Sequence, residues 1–211
     1  MKYDDFRKKF KKFPVLDIST ALRITGENPQ VMRNQITRWV KSGYLIKLKR
    51  GLYLFNETDR GRDVAQLFIA NKLYEPSYVS METALSLYGI IPEGVAVVTS
   101  VTAKLTKRFQ NSTGNFMYQH VKPQAFRGFR QEKFGGLPVF IAEPEKAVVD
   151  FLYLNAGRFT KDPEGQLKKS FRFQPGAGID PRRVRALADL FQNQKLKRLA
   201  EAAIAVLGEK A

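Results

Sequence analysis

Residues 28–55, NPQVMRNQITRWVKSGYLIKLKRGLYLF, constrain the fold more than any other stretch, because the apolar period changes inside it. Met32, Ile36, Trp39 and Val40 recur at helical spacing and would face a core. Gln30, Arg33, Asn34, Thr37, Arg38 and Lys41 fall on the other side. Asn28 can cap the first turn, Pro29 suits that turn, and Gly43 suits the position past the end. From Tyr44 the period drops to two. Tyr44, Ile46 and Leu48 alternate with Leu45, Lys47 and Lys49, as the two faces of a strand do. Lys49-Arg50-Gly51 makes a turn, and Leu52 to Phe55 returns as a second strand. The spacing therefore predicts a helix over Pro29–Ser42 and a basic β-hairpin after it.

The preceding residues supply the other parts of a small domain. Tyr3, Phe6, Phe10 and Phe13 stand at helical spacing with Lys8, Lys9, Lys11 and Lys12 between them, which predicts an amphipathic helix. A helix lying on a membrane surface has the same pattern, but here the following elements offer a core to pack on. Pro14 ends the helix, Val15–Asp17 reads as a short strand, and Ser19–Ile24 as a short helix with Ile18, Ala21 and Leu22 inward. Helix, short helix, turn, helix and hairpin is the order of a winged helix-turn-helix. Asn56–Gly61 is polar and turn-like, so the domain boundary is placed there: residues 1–56 form the first domain and 57–211 the second.

Charge narrows the partner. The chain carries 36 Lys and Arg against 20 Asp and Glu, a formal net charge of +16. Such an excess favours a polyanion: DNA, RNA or an anionic membrane. Residues 1–56 hold 13 basic and 4 acidic side chains, so the excess is concentrated around the predicted helix and hairpin. No apolar run is long enough to span a bilayer, and the N-terminus has no apolar stretch of signal-peptide length. A cytoplasmic protein is expected. Cysteine is absent and His120 is the single histidine, so disulfides, thiolate metal sites and histidine pairs are excluded.

The second domain reads as a mixture. Helices are expected at Asp63–Leu73, after Ser80, from Pro144 to Leu154, from Asp180-Pro181, and near the C-terminus. Strands are expected at Tyr78-Val79, Val95–Val101, Phe116–Val121 and Val139–Ala142. Ser80 is read as a helix cap. Phe126–Lys133 could be strand or loop, and residues 157–178 read as irregular. The fold class is α+β, a winged helix-turn-helix followed by a mixed α/β domain ending in helices.

Duplex DNA suits the predicted reading face. Arg pairs bidentately with guanine and Asn or Gln with adenine, so Gln30, Arg33, Asn34 and Thr37 near the helix start are the expected base readers. Arg38 and Lys41 are expected on phosphates, and Lys47, Lys49 and Arg50 of the hairpin on backbone or minor groove. An ordinary solvated helix face has the same composition; the adjacent basic hairpin favours the nucleic-acid reading. Catalysis has thinner support. Glu143, Glu145 and Asp150 surround Lys146, but a metal-dependent nuclease wants an acidic residue two before the lysine, where Pro144 stands. Capping of the following helix explains the glutamates equally well. No phosphate-binding or dinucleotide-binding glycine pattern occurs. No cofactor, metal ligand or catalytic residue is expected. Base stacking on the basic, aromatic stretch Phe126–Arg130 would suit RNA instead.

The order of KRGLYLF, then YVSMETALSLYGIIPEGVAVVTS, then VFIAEPEKAVVDFLYL, then RALADLFQNQKLKRLAEAAIAVL resembles the AbiEi-type antitoxins of bacterial type IV toxin–antitoxin systems, which act in phage defence. The resemblance implies a transcriptional autorepressor whose winged helix binds inverted repeats in its own promoter, with two copies meeting on DNA. It implies a C-terminal domain that counters a nucleotidyltransferase-like toxin without a stable complex. The alternatives are a winged-helix-guided nuclease and a stand-alone regulator with no toxin.

Overall fold

A computed structural model describes residues 1–176 and 178–209; Ala177, inside the segment read as irregular, and the last two residues lie outside the described residues. The chain forms a mixed α+β fold with a three-stranded and a six-stranded sheet. The N-terminal part begins with α1 (Tyr3–Phe10), which buries Phe6 and Phe10. β1 (Leu16–Asp17) leads into α2 (Ile18–Thr25), where Asp17 accepts a hydrogen bond from the Thr20 N–H. Gly26 ends α2 at φ 66°, a left-handed conformation that costs glycine little. α3 (Pro29–Lys41) starts as the sequence predicts: Asn28 Oδ1 accepts from the N–H groups of Gln30 and Val31 at 2.8 and 3.4 Å. Met32, Ile36 and Trp39 are buried along its inner stripe.

β2 (Leu45–Lys49) and β3 (Leu52–Phe55) form the expected hairpin, and β1 adds to β3 to give the antiparallel order β1-β3-β2. The alternation read for β2 holds as far as Leu48: Ile46 and Leu48 face the larger core and Leu45 the smaller one. Lys47 pairs with Tyr53 and Lys49 with Leu52, so Leu48 is an unpaired extra residue, a β-bulge, and the alternation breaks between Leu48 and Lys49. Leu45 and Leu48 are both buried, on opposite faces, and Tyr44 just before the strand is exposed.

The two faces of the hairpin meet two different cores. Leu45 and Phe55 pack with Phe6, Phe10, Met32, Ile36 and Trp39. Leu48, Leu52 and Leu54 pack with the core of the rest of the chain. The boundary expected after residue 56 is therefore bridged by packing, and the hairpin is a wall shared by both parts.

After the hairpin, α4 (Gln66–Leu73) begins three residues later than the apolar spacing suggests, because the backbone is still extended at Ala65. β4 (Ser77–Val79), α5 (Met81–Leu87) and β5 (Val97–Thr102) follow. β6 (Lys107–Asn111) and β7 (Gly114–His120) form a hairpin, as do β8 (Phe129–Phe134) and β9 (Leu137–Ala142). The strand order is β6-β7-β5-β4-β9-β8, parallel at β5–β7 and β4–β9 and antiparallel elsewhere. α4 packs on β4, β5 and β9. α6 (Pro144–Leu154) packs on α5, and α8 (Pro181–Asp189) and α9 (Gln194–Leu207) pack on α6. The segment read as irregular contains α7 (Pro163–Lys169), capped by Asp162 and packed on α9.

A charge pair lies in the middle of this larger part. On α6, Lys146 Nζ is 2.5 Å from Asp150 Oδ1, one helical turn on, and both side chains are fully buried. Asp150 Oδ2 accepts from the Tyr78 hydroxyl at 2.9 Å and the Ser80 hydroxyl at 2.8 Å. Ser80 precedes α5 as the sequence reading has it, but its hydroxyl accepts from no helix N–H and instead donates to the Asp150 carboxylate. Burial, then the Asp150 charge and hydrogen bond, push the Tyr78 phenol well above its ordinary pKa, so it stays a neutral donor. The Lys146 ammonium also lies 4.8 Å from the centre of the Phe191 ring.

Replacing Asp150 with Ala strands a buried ammonium, which costs about 3–5 kcal/mol. Urea unfolding is expected to show that loss for Asp150→Ala, and to show most of it recovered in Lys146→Met/Asp150→Leu, where no charge is left behind. An equal loss in both variants would contradict this account.

Candidate nucleic-acid interface

The outer face of α3 presents six of the expected residues to solvent: Gln30, Arg33, Asn34, Thr37, Arg38 and Lys41 are all exposed. Their side chains are partly organised. Gln30 Nε2 donates to Asn34 Oδ1 at 3.1 Å, one turn on. This leaves Gln30 Oε1 as an acceptor beside Asn34 Nδ2 as a donor. Adenine offers the complement in the major groove, an N6 donor beside the N7 acceptor. Thr37 Oγ1 donates to the Arg33 carbonyl at 2.8 Å, so its hydroxyl hydrogen is committed within the helix. What Thr37 can offer a base is its methyl group and an oxygen lone pair.

The cations on this face are available. Among the described residues, the ion pairs made by the N-terminal part are Met1 amine to Glu27 at 3.2 Å and Arg7 to Asp59 at 3.0 Å. Arg33, Arg38, Lys41, Lys47 and Arg50 are in neither. Lys47 is exposed on β2, and Arg50 is exposed at the hairpin turn.

Lys49 does not join them. Its ammonium donates to the carbonyls of Leu73 at 2.7 Å and Lys72 at 3.4 Å, at the C-terminal end of α4. A cation is favoured there, because the last carbonyls of a helix lack intrahelical partners and carry partial negative charge. Burial holds the Lys49 ammonium below the usual lysine range, against the opposing pull of Glu75 and Asp17. The expected backbone contact is thus replaced by a strut between the hairpin and the larger part. Asn111 reinforces it, donating through Nδ2 to the Leu48 carbonyl at 3.1 Å.

Ile24, Val31 and Tyr44 are 40%, 44% and 42% exposed on this part, and of these Val31 was not singled out from the sequence. Val31 lies three positions before Asn34 on α3, off the buried stripe. An apolar side chain there can meet a thymine methyl group. Its position off the stripe was the signal available.

The carboxylates considered for metal-dependent cleavage do not converge. Glu143 Oε2 is held by Arg183 at 2.7 Å, and Glu145 Oε1 accepts from the Asp180 N–H at 3.1 Å. Asp150 is buried against Lys146, Tyr78 and Ser80. Among the described residues no three His, Asp or Glu side chains gather as a metal-binding group, and no helix is long and apolar enough to cross a membrane. His120 Nδ1 is 2.9 Å from the Lys104 carbonyl, on the exposed end of β7.

No known family model matches the chain, and no curated protein is similar to it.

Lys49→Ala removes the strut and is expected to lower the unfolding free energy by about 1 kcal/mol, the scale of one charged hydrogen bond at a half-exposed position. Lys47→Ala and Arg50→Ala are expected to stay within about 0.5 kcal/mol of the parent, as surface substitutions do. Thermal or urea unfolding of the three variants separates the roles; equal behaviour of all three contradicts the assignment of Lys49.

Proposed function

We propose that this protein is a sequence-specific DNA-binding regulator whose N-terminal part is a winged helix-turn-helix, with α3 as the recognition helix and the β2–β3 hairpin as the wing. The observation that carries this reading is the outer face of α3, where an ordered Gln30–Asn34 pair lies among guanidinium groups without carboxylate partners. Gln30, Arg33 and Asn34 read base edges, Thr37 and Val31 make apolar contacts, and Arg38, Lys41, Lys47 and Arg50 hold phosphates. Two copies occupy an inverted repeat, because one short helix reads only a few base pairs.

The resemblance in motif order supports a narrower reading, an AbiEi-type antitoxin acting in the cytoplasm. In that reading the protein represses its own promoter and counters a nucleotidyltransferase-like toxin without forming a stable complex with it. The larger part, residues 57–211, carries the antitoxin role. Nuclease activity is not favoured, since Glu143, Glu145 and Asp150 each serve a separate structural partner.

A gel shift on the DNA upstream of the gene is expected to show binding that weakens steeply with salt, as displaced counterions return to the phosphates. Replacing Arg33, Asn34 and Arg50 together by Ala is expected to abolish the specific shift. Lys41→Ala is expected to weaken all sequences alike and to reduce the slope of log affinity against log salt by about 1. An unchanged shift in the triple variant would remove α3 as the reader. Co-expression with the neighbouring gene tests the second half: rescue of growth from a toxic neighbour is expected, and no rescue leaves a regulator without a toxin.

A further inference from the structure

A cleft of about 440 Å³ opens between the C-terminal end of α4 and the β8–β9 hairpin. This is the size range of small-molecule sites. Its walls are aromatic. Phe129 and Phe140 stand 6.0 Å apart at 89°, and Phe126 lies 5.2 Å from Phe129 at 58°. Phe140 is 44% exposed, an unusual position for a large apolar ring. Two walls at a right angle accept a flat ring that stacks on one and meets the other edge-on, both favourable aromatic geometries.

The cleft also has polar groups. Gln131 lines it, exposed on β8 directly opposite Phe140. Its amide offers a donor and an acceptor. Lys133, exposed two residues on and opposite Pro138 of the lining, adds a cation near the rim. Lys72 and Glu75 line the cleft as well, paired with each other at 2.6 Å. A hydrocarbon occupant would strip water from the Gln131 amide and return no hydrogen bond. A flat ring with donors and acceptors on its edge and an attached anion meets Phe140, Gln131 and Lys133 together.

We infer that this cleft binds an unpaired nucleobase, presented by a free nucleotide or by a single-stranded nucleic acid. The base stacks on Phe140, its edge bonds to Gln131, and its phosphate lies toward Lys133. The site is separate from the α3 face and does not depend on the duplex reading.

Calorimetry on the full chain tests this with each of the four ribonucleoside monophosphates and with short oligouridylate and oligothymidylate. Saturable binding of at least one of these ligands is expected. Phe140→Ala is expected to weaken it about tenfold, the effect of losing one base stack. Gln131→Ala, at an exposed position, is expected to weaken it less and to change which base is preferred. Binding of the monophosphates marks a nucleotide site; binding of the oligonucleotides alone marks a strand site. The Arg33/Asn34/Arg50 variant is expected to bind as the parent does. The inference fails if no ligand binds. It also fails if Phe140→Ala and Gln131→Ala both bind unchanged, or if binding is lost in the α3 variant and kept in Phe140→Ala.

Discussion

The larger part of the molecule depends on one buried ion pair. Lys146 and Asp150 sit one turn apart on α6, with neither reaching solvent. Removing two such charges from water costs several kcal/mol for each, and their attraction offsets this only when the remaining lone pairs are satisfied. Here the second carboxylate oxygen takes hydroxyls from Tyr78 on β4 and from Ser80 at the start of α5. Two segments some 70 positions apart must meet at one atom group. Tyr78 stacks in turn on Phe129 of β8, 4.5 Å away and nearly parallel. Gly128, just before β8, leaves no room for a Cβ beside Leu187 and Lys146. The pair thus sets the mutual placement of α6, α5 and the β4-β9-β8 edge of the sheet. That edge is also where the aromatic cleft opens.

The hairpin does the corresponding work for the N-terminal part. One of its sides closes the small core around Phe6, Phe10 and Trp39, and the other side enters the large core through Leu48, Leu52 and Leu54. Tyr3 adds a second tie, stacking on Tyr44 at 4.3 Å and donating to Asp59 in the loop that follows the hairpin. α3 is therefore held between the aromatic core and the hairpin.

Elements governed by local rules were legible in the sequence. Asn28, Pro29 and Gly43 marked the limits of α3, and the spacing of Met32, Ile36 and Trp39 gave its buried face. Features decided by distant partners were not. A one-residue bulge at Leu48 leaves no trace in composition, yet it shifts the register of β2 on β3 between Lys47 and Lys49. Lys49 looked like its neighbours Lys47 and Arg50; what separates it is the end of α4, 23 and 24 positions later. Asp150 resembled Glu143 and Glu145 until Tyr78 and Ser80, some 70 positions earlier, came to it. β6 was missed because it is a sheet-edge strand with exposed Lys107, Arg108 and Gln110 and no apolar alternation. In the candidate interface the exposed polar face of α3 was legible, while the Gln30–Asn34 pairing and the diversion of Lys49 required the fold.

The shared hairpin limits modularity. Cutting the chain after Asn56 would leave Leu48, Leu52 and Leu54 as a bare apolar strip on the excised fragment, and would leave the remainder with an uncovered core. Such a fragment would tend to self-associate, and grafting it onto another protein would need those three leucines redesigned. The same arrangement makes the two parts one cooperative unit. A change in the larger part that strains β2 or β3 is felt at the base of α3 without any hinge between them.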